Sequence, residues 1–235
     1  MNVICFHNPD EENGYLSNWY LSHFTVNGID FSSMEQFMMY QKAYRFHDEE
    51  IANDILHTDN VAEIKKLGRK VHNYDENVWN GVRQIIVYEG LKAKFSQNAE
   101  LKRQLVDTGD AVLAECAVRD QIWGIGLSMG DPNRFERSKW KGNNLLGYAL
   151  MLVREQLKIL ILEMEIDKKN IFYEIQNNKE FLNEQKNNEK RKVHNESINA
   201  QRQPENKRKY IYCIRRNEKS IRSRRCRSGN CTGRQ

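Results

Sequence analysis

The chain has 235 residues and a mean hydropathy of −0.80, low for one compact unit of that length, so one domain with a tail is expected. Residues 1–160 carry 18 basic and 22 acidic side chains, a balance of −4, whereas residues 161–235 carry 19 and 10, a balance of +9. Two physically different segments are joined, and with no run of 18 or more apolar residues neither is expected to cross a membrane.

In chain order, Val3–Phe6 reads as an opening strand, and Phe24–Phe31 as a hairpin turned by Asn27-Gly28. Ser32 and Glu35 are spaced as a capping box, predicting a helix from Ser33 to about Phe46. On it, Glu35, Met38, Met39 and Lys42 share one stripe, with Glu35 and Lys42 about 10 Å apart along the axis. The two ionisable groups read either as a cap and a surface lysine, or as a pair gripping opposite sides of a small ligand.

Asp48 can cap a helix through Leu56. Asn60 can cap another ending at Leu67, with Gly68 left-handed beyond it and Lys65 and Lys66 suiting its dipole. Asp75 can cap a long helix to about Phe95, which places Trp79 at its start, near an expected pocket mouth. A shorter helix through Leu101 and Leu105, a turn at Thr108-Gly109-Asp110 and a strand over Val112–Cys116 follow. After a loop from Arg119 to Gly126, Asn143-Asn144 caps a helix from Leu145 to about Glu165 with Leu146, Leu150, Val153, Leu157 and Leu160 on its apolar stripe. These elements predict a helix-dominated α+β domain with few strands over 1–165.

Beyond that point the pattern dissolves into Asn, Gln, Glu, Lys and Arg, and residues 166–235 are expected to be a disordered basic extension with a frayed helical stretch around Phe172–Asn188. From Lys190 to Gln235 there are 15 basic and 3 acidic residues, a composition that attracts nucleic acid or acidic partners, serves nuclear import, or is an idle extension. Five cysteines, an odd number, and no charged n-region before an apolar core indicate a reducing cytosolic or nuclear setting.

Cys213, Cys226 and Cys231 lack paired zinc spacing, His194 does not complete a set, and neither metal nor cofactor is expected. No Walker, dinucleotide or nucleophile-elbow motif occurs, and Cys5 and Cys116 read as small buried hydrophobes. What remains is a series of polar and aromatic marks: Leu16-Ser17-Asn18, Glu35 with Lys42, Gly68-Arg69, Trp79, Glu115, Asp120 with Trp123-Gly124, and Gly142–Gly147. Each alone has an ordinary structural use as core, cap or surface charge.

Together they resemble the NADAR family, also called YbiA-like, over about residues 3–160. The resemblance rests on L-S-N at Leu16–Asn18, F-x-S-x-E-Q-x-M-x-x-K-A at Phe31–Ala43 and K-x-L-G-R at Lys65–Arg69. It continues with K-F-x-Q-N-x-x-L at Lys94–Leu101, D-x-x-W-G-I-G at Asp120–Gly126 and G-x-N-x-L-G-x-x-L-M-x-V-R at Gly142–Arg154. It implies a compact α+β fold and N-glycosidase activity on ribosyl–nitrogen bonds. The implied substrates are riboflavin-pathway phosphoribosylamines or ADP-ribose on guanine.

Breaking such a bond builds positive charge on C1′ while nitrogen leaves, which calls for carboxylates, a proton donor and a stacking face. Glu35 and Asp120 are the candidate carboxylates. Lys42, if desolvated, can form a Schiff base at C1′, the route the resemblance favours, with water attack open beside it. Trp79 and Trp123 would stack on the base, Arg69 would take a phosphate, Asn18 and Asn144 would bind ribose, and Gly124 would belong to the same substrate-binding set. The rival readings are a non-catalytic ADP-ribose or NAD-like ligand-binding module, and a nucleic-acid binder, which the −4 balance of 1–160 opposes.

Overall fold

The computed structural model describes residues 2–202, and contacts divide the chain between Met164 and Glu165. In the first unit, Val3–Phe6 (β1) pairs in parallel with Val112–Glu115 (β4), register Val3 to Val112 and Phe6 to Glu115. A separate antiparallel hairpin joins Leu21–Val26 (β2) to Ile29–Ser33 (β3). Asn27 and Gly28 take φ of 52° and 79° there, the two left-handed residues that a twist-matched two-residue turn needs.

Between the strand pairs lie Met34–Arg45 (α1), Glu49–Leu56 (α2), Val61–Gly68 (α3), Glu76–Gln97 (α4) and Ala99–Asp107 (α5). Asp48, Asn60 and Asp75 cap α2, α3 and α4 as expected, each carboxylate or amide oxygen accepting backbone N–H groups of the first turn. The apolar core joins Phe6 and Leu113 of the parallel pair to Phe31, Phe37, Leu91 and Phe95. Phe31 and Phe37 meet edge to face at 5.1 Å.

Three local expectations are corrected. The α1 cap is Ser33, whose Oγ accepts the Gln36 N–H at 3.2 Å. Gln36 Oε1 reaches back to the Ser32 N–H at 2.7 Å, so the reciprocal cap is displaced one residue and Glu35 takes no part in it. Gly68 is not left-handed but the last residue of α3. Its hydrogen faces Met39, where a Cβ would come within 2.0 Å of the sulfur, so α1 packs closely on α3 here and a larger residue would displace the flexible Met39 side chain.

The third correction concerns Leu145–Arg202 (α6), which was expected to end near Glu165. Its start fits the expectation: Leu146, Leu150, Val153 and Leu157 are buried. It then continues as helix through 166–202, with side chains exposed from Glu165 to Glu196. The physical reason is the absence of breakers: no Gly lies between Gly147 and Gly229, no Pro between Pro132 and Pro204, and Glu, Lys, Gln, Leu and Ile are good helix formers. The expectations for 203–235, including the reading of Cys213, Cys226 and Cys231, fall outside the described residues.

Gly147 seats the first turn of α6 against β4, since a Cβ there would lie 2.1 Å from the Leu113 carbonyl oxygen. Backbone cannot yield as a flexible side chain can. Gly147→Ala is therefore expected to destabilise the protein by about 3 kcal/mol, read as a lower denaturant midpoint at unchanged slope.

Candidate active site

Freed from capping, Glu35 points its carboxyl into the protein, where only 3% of the residue is exposed. Its backbone N–H donates to the Asn18 carbonyl at 2.9 Å, tying the start of α1 to the Leu16-Ser17-Asn18 turn. Burial pushes the Glu35 pKa up to about 6; Lys65 opposes, Asp120 adds to the rise, and Trp19 and Arg69 pull it down. Those influences define the neighbourhood: Asn18 and Trp19 from the turn, Lys65 and Arg69 from α3, and Asp120 from the loop after β4.

Glu115, at the end of β4, completes the cluster. Its pKa rises to about 8, through burial first and then the negative charges of Asp120 and Glu35, with Lys65 opposing. One of its oxygens, Oε2, is shut from solvent without a hydrogen-bond partner among the described residues. The consequence at neutral pH is a division of states, Glu115 mostly protonated and Glu35 mostly ionised.

Asp120 is fixed by its own loop, Oδ1 accepting the N–H groups of Ile122 at 3.1 Å and Trp123 at 2.9 Å. Gly124 closes that loop: a Cβ would meet the Glu115 and Asp120 carbonyl oxygens at 2.9 Å, so its role is packing. The carbonyl oxygens of Gln121, Ile122, Trp123 and Gly124 in turn accept the N–H groups of Leu145, Leu146 and their two predecessors, Asn143 and Asn144. The start of α6 is thereby spent on protein rather than offered to a phosphate.

Asn144, fully buried, clamps β4: its Nδ2 donates to the Leu113 carbonyl at 2.8 Å and its Oδ1 accepts the Glu115 N–H at 3.1 Å. It positions Glu115, with both amide ends engaged by backbone. Asn18 is different, because its Oδ1 is buried with no partner among the described residues. Lys94, also fully buried, donates from Nζ to the Tyr15 carbonyl at 2.7 Å, anchoring the turn that carries Asn18; burial lowers its pKa to about 7.

Lys42 occupies the far end of the α1 stripe. Its Nζ donates to the Gly68 carbonyl at 2.7 Å and stands 4.2 Å above the Tyr74 ring, and burial lowers its pKa. Arg69, the exposed residue closing α3, acts on Glu35 through its charge. The aromatic assignments divide. Trp123 is half-buried beside Arg83, with 5.9 Å from guanidinium carbon to ring centre. Trp79 is 6% exposed and belongs to the apolar core, so it has almost no free face for a base.

Trp19, not singled out from sequence, lies half-buried near Glu35 with the Lys65 ammonium 5.3 Å over its ring. The signal that could have found it is its position directly after the Leu16-Ser17-Asn18 mark. Glu115 had a comparable signal, a carboxylate at the end of an apolar strand. A cavity of about 750 Å³ opens elsewhere, between Tyr44 and Arg45 of α1 and Val78, Val82 and Ile86 of α4. Its one carboxylate, Asp75, is occupied capping α4.

The NADAR domain model matches residues 5–158, a span holding every residue of the acid cluster and Lys42. The chain belongs to the NADAR family. Among NADAR relatives, an N-glycosidase of Acanthamoeba polyphaga mimivirus is 36% identical over 65% of this chain and 95% of its own. N-glycosidase YbiA of Escherichia coli is 31% identical, over 67% of this chain and 89% of its own. A riboflavin biosynthesis protein of Vibrio vulnificus is 34% identical over 66% of this chain but 38% of its own length. The solution structure of E. coli YbiA superposes with a TM-score of 0.58 at 31% identity, covering 69% of this chain and 88% of that one.

The raised Glu115 pKa has a thermodynamic consequence. Between the unfolded value of 4.5 and the folded value of about 8 the native state keeps a proton that the unfolded chain has released. Stability from this group is full below pH 4.5 and is lost as pH rises through 8. Glu115→Gln, which cannot ionise, should therefore melt progressively higher than wild type as pH is raised from 5 to 9. A pH-independent difference would remove the carboxyl as its source.

Proposed function

We propose that this NADAR protein is an N-glycosidase that hydrolyses a ribosyl–nitrogen bond at the Glu35, Glu115 and Asp120 cluster. The observation that carries the reading is the pair of buried carboxyls with separated pKa values, one suited to donate a proton at neutral pH and one to hold negative charge. The N-glycosidase names of relatives that align over nearly their whole length support the same reaction class.

In this mechanism Glu115 protonates the leaving nitrogen while Glu35 stabilises the positive charge growing on C1′. Lys42, its amine pulled toward neutrality by burial, attacks C1′. The bond between C1′ and the ring oxygen then opens, one proton of the attacking amine passing through Glu35 to the ring oxygen, and the adduct becomes a protonated imine. Water then adds to the imine carbon, Glu35 takes the released proton and returns it to the amine nitrogen, and the amine departs as the hydroxyl on C1′ gives up its proton and becomes the aldehyde of the open-chain sugar. Asp120 holds Trp123 as a stacking face, and the unpartnered Asn18 oxygen accepts a ribose hydroxyl.

Two substrates fit this chemistry, a ribosylaminopyrimidine phosphate and ADP-ribosylated guanine. The experiment is to incubate the protein separately with each and compare initial rates. Turnover of either, with release of the intact base or amine, is the expected result. Binding of either without turnover would favour the non-catalytic module. The basic segment 190–235 is proposed as the electrostatic contact for a nucleic-acid substrate, which predicts affinity falling steeply with salt on the oligonucleotide alone.

A further inference from the structure

Lys42, Lys65, Arg69 and Arg83 form no ion pair among the described residues. Three of them have visible employment. Lys65 and Arg69 act on Glu35, and Lys42 donates to the Gly68 carbonyl. Arg83 is left over. It projects half-buried from α4 one turn after Trp79, and its Nε is shut from solvent with no acceptor among the described residues. A guanidinium cannot discharge itself near neutral pH, so a buried donor of this kind is relieved only by an acceptor or an anion arriving from outside.

Its surroundings say where that anion would sit. The guanidinium carbon is 5.9 Å from the centre of the Trp123 ring, and the Trp123 N–H rests on Asp120. Its charge also reaches the Tyr74 hydroxyl, and the Tyr74 ring carries the Lys42 ammonium 4.2 Å above it. A chain of pairwise interactions thus links Lys42, Tyr74, Arg83 and Trp123, from the amine to the Asp120 loop. Two cations and two aromatic rings stand along it. A forked guanidinium beside an aromatic ring is suited to an oxyanion with several acceptor oxygens, phosphate above all.

We propose that Arg83 binds the phosphoryl group carried on the 5′-oxygen of the substrate's ribose, with Lys42 and Trp123 on either side of the sugar. The assignment rests on the ribosyl–nitrogen hydrolase reading for the identity of the sugar. Its physical basis, a half-buried guanidinium beside an aromatic face whose Nε is shut from solvent without an acceptor among the described residues, is separate from the carboxyl chemistry. Ribose 5-phosphate and ADP-ribose both present this group, one as a monoester and one within a diphosphate.

The test is calorimetric titration of the full-length protein with ribose 5-phosphate, ADP-ribose and unphosphorylated ribose, in wild type, Arg83→Gln and Arg83→Lys. Wild type should bind at least one phosphorylated compound about tenfold or more tighter than ribose, and the tighter of the two identifies the source of the phosphoryl group. Arg83→Gln should weaken that binding by about 10- to 100-fold and erase the preference over ribose. Arg83→Lys, which keeps the charge without the fork, should retain part of it.

Equal affinity of wild type and Arg83→Gln for both phosphorylated compounds would overturn the proposal, as would a loss that falls equally on ribose. Binding is read here without turnover. A protein that shows the Arg83-dependent preference and cleaves nothing would overturn the hydrolase reading alone, whereas one that cleaves substrate with phosphate affinity indifferent to Arg83 would overturn this inference alone.

Discussion

Glu35→Gln should lower kcat by about 10²- to 10⁴-fold, the range for removing a positioned proton-transfer group, while leaving the fold intact. The second half of that expectation follows from the cap. Ser33 and Gln36 hold the start of α1, so the Glu35 side chain can change without undoing it. The substitution also removes a carboxylate that burial disfavours, which should leave the melting temperature at pH 8 equal to or above that of wild type. The acidic limb of the wild-type profile of kcat/KM, set by a group titrating at about 6, should vanish from the residual activity. Loss of activity only in proportion to loss of folded protein would defeat the catalytic role.

Lys42→Met should reduce kcat by roughly three orders of magnitude or more, as removal of a covalent nucleophile does, while keeping much of the apolar stem. Borohydride added during turnover should reduce the imine and leave a sugar-derived mass on wild type, at Lys42, and none on the variant. The Gly68 carbonyl loses its donor in that variant, so melting must be followed in parallel. Full activity in Lys42→Met would leave direct attack by water as the route.

How far the chain could be read in advance depends on how local the controlling physics is. Asn27-Gly28 and the caps at Asp48, Asn60 and Asp75 act over two to four residues, and each lies where its chemistry predicts. The α1 cap failed by one residue because two adjacent serines and adjacent Glu35 and Gln36 offer the same spacing twice. Pairing of Ser33 with Leu21 in the hairpin carries strand β3 to the later serine. Gly68 and Gly147 are governed by what packs across from them, Met39 and the Leu113 carbonyl, which no local spacing reveals.

The site follows the same rule. Glu35 and Lys42 were visible as a stripe, since they share one helix. Glu115 became legible as an acid only once β4 and α1 were brought together by folding, because its pKa is set by burial and by charges far away in the chain. Trp79 went to the core and Trp19 to the acid cluster for a comparable reason: both are large amphipathic rings, and only the tertiary arrangement decides which one keeps an open face. Polarity alone predicts only a frayed stretch around Phe172–Asn188, whereas the helix is continuous after Glu165 through Arg202, because its residues carry no helix breaker.

The most direct test of the central claim is a single-turnover incubation with protein in excess over a ribosyl–nitrogen substrate, followed by mass spectrometry of every product. The account predicts one intact base or amine and one free sugar phosphate or ADP-ribose for each substrate consumed by wild type, with Glu35→Gln returning the substrate uncut over the same interval. Substrate bound by wild type yet recovered whole would contradict it and identify the acid cluster as a ligand-binding site.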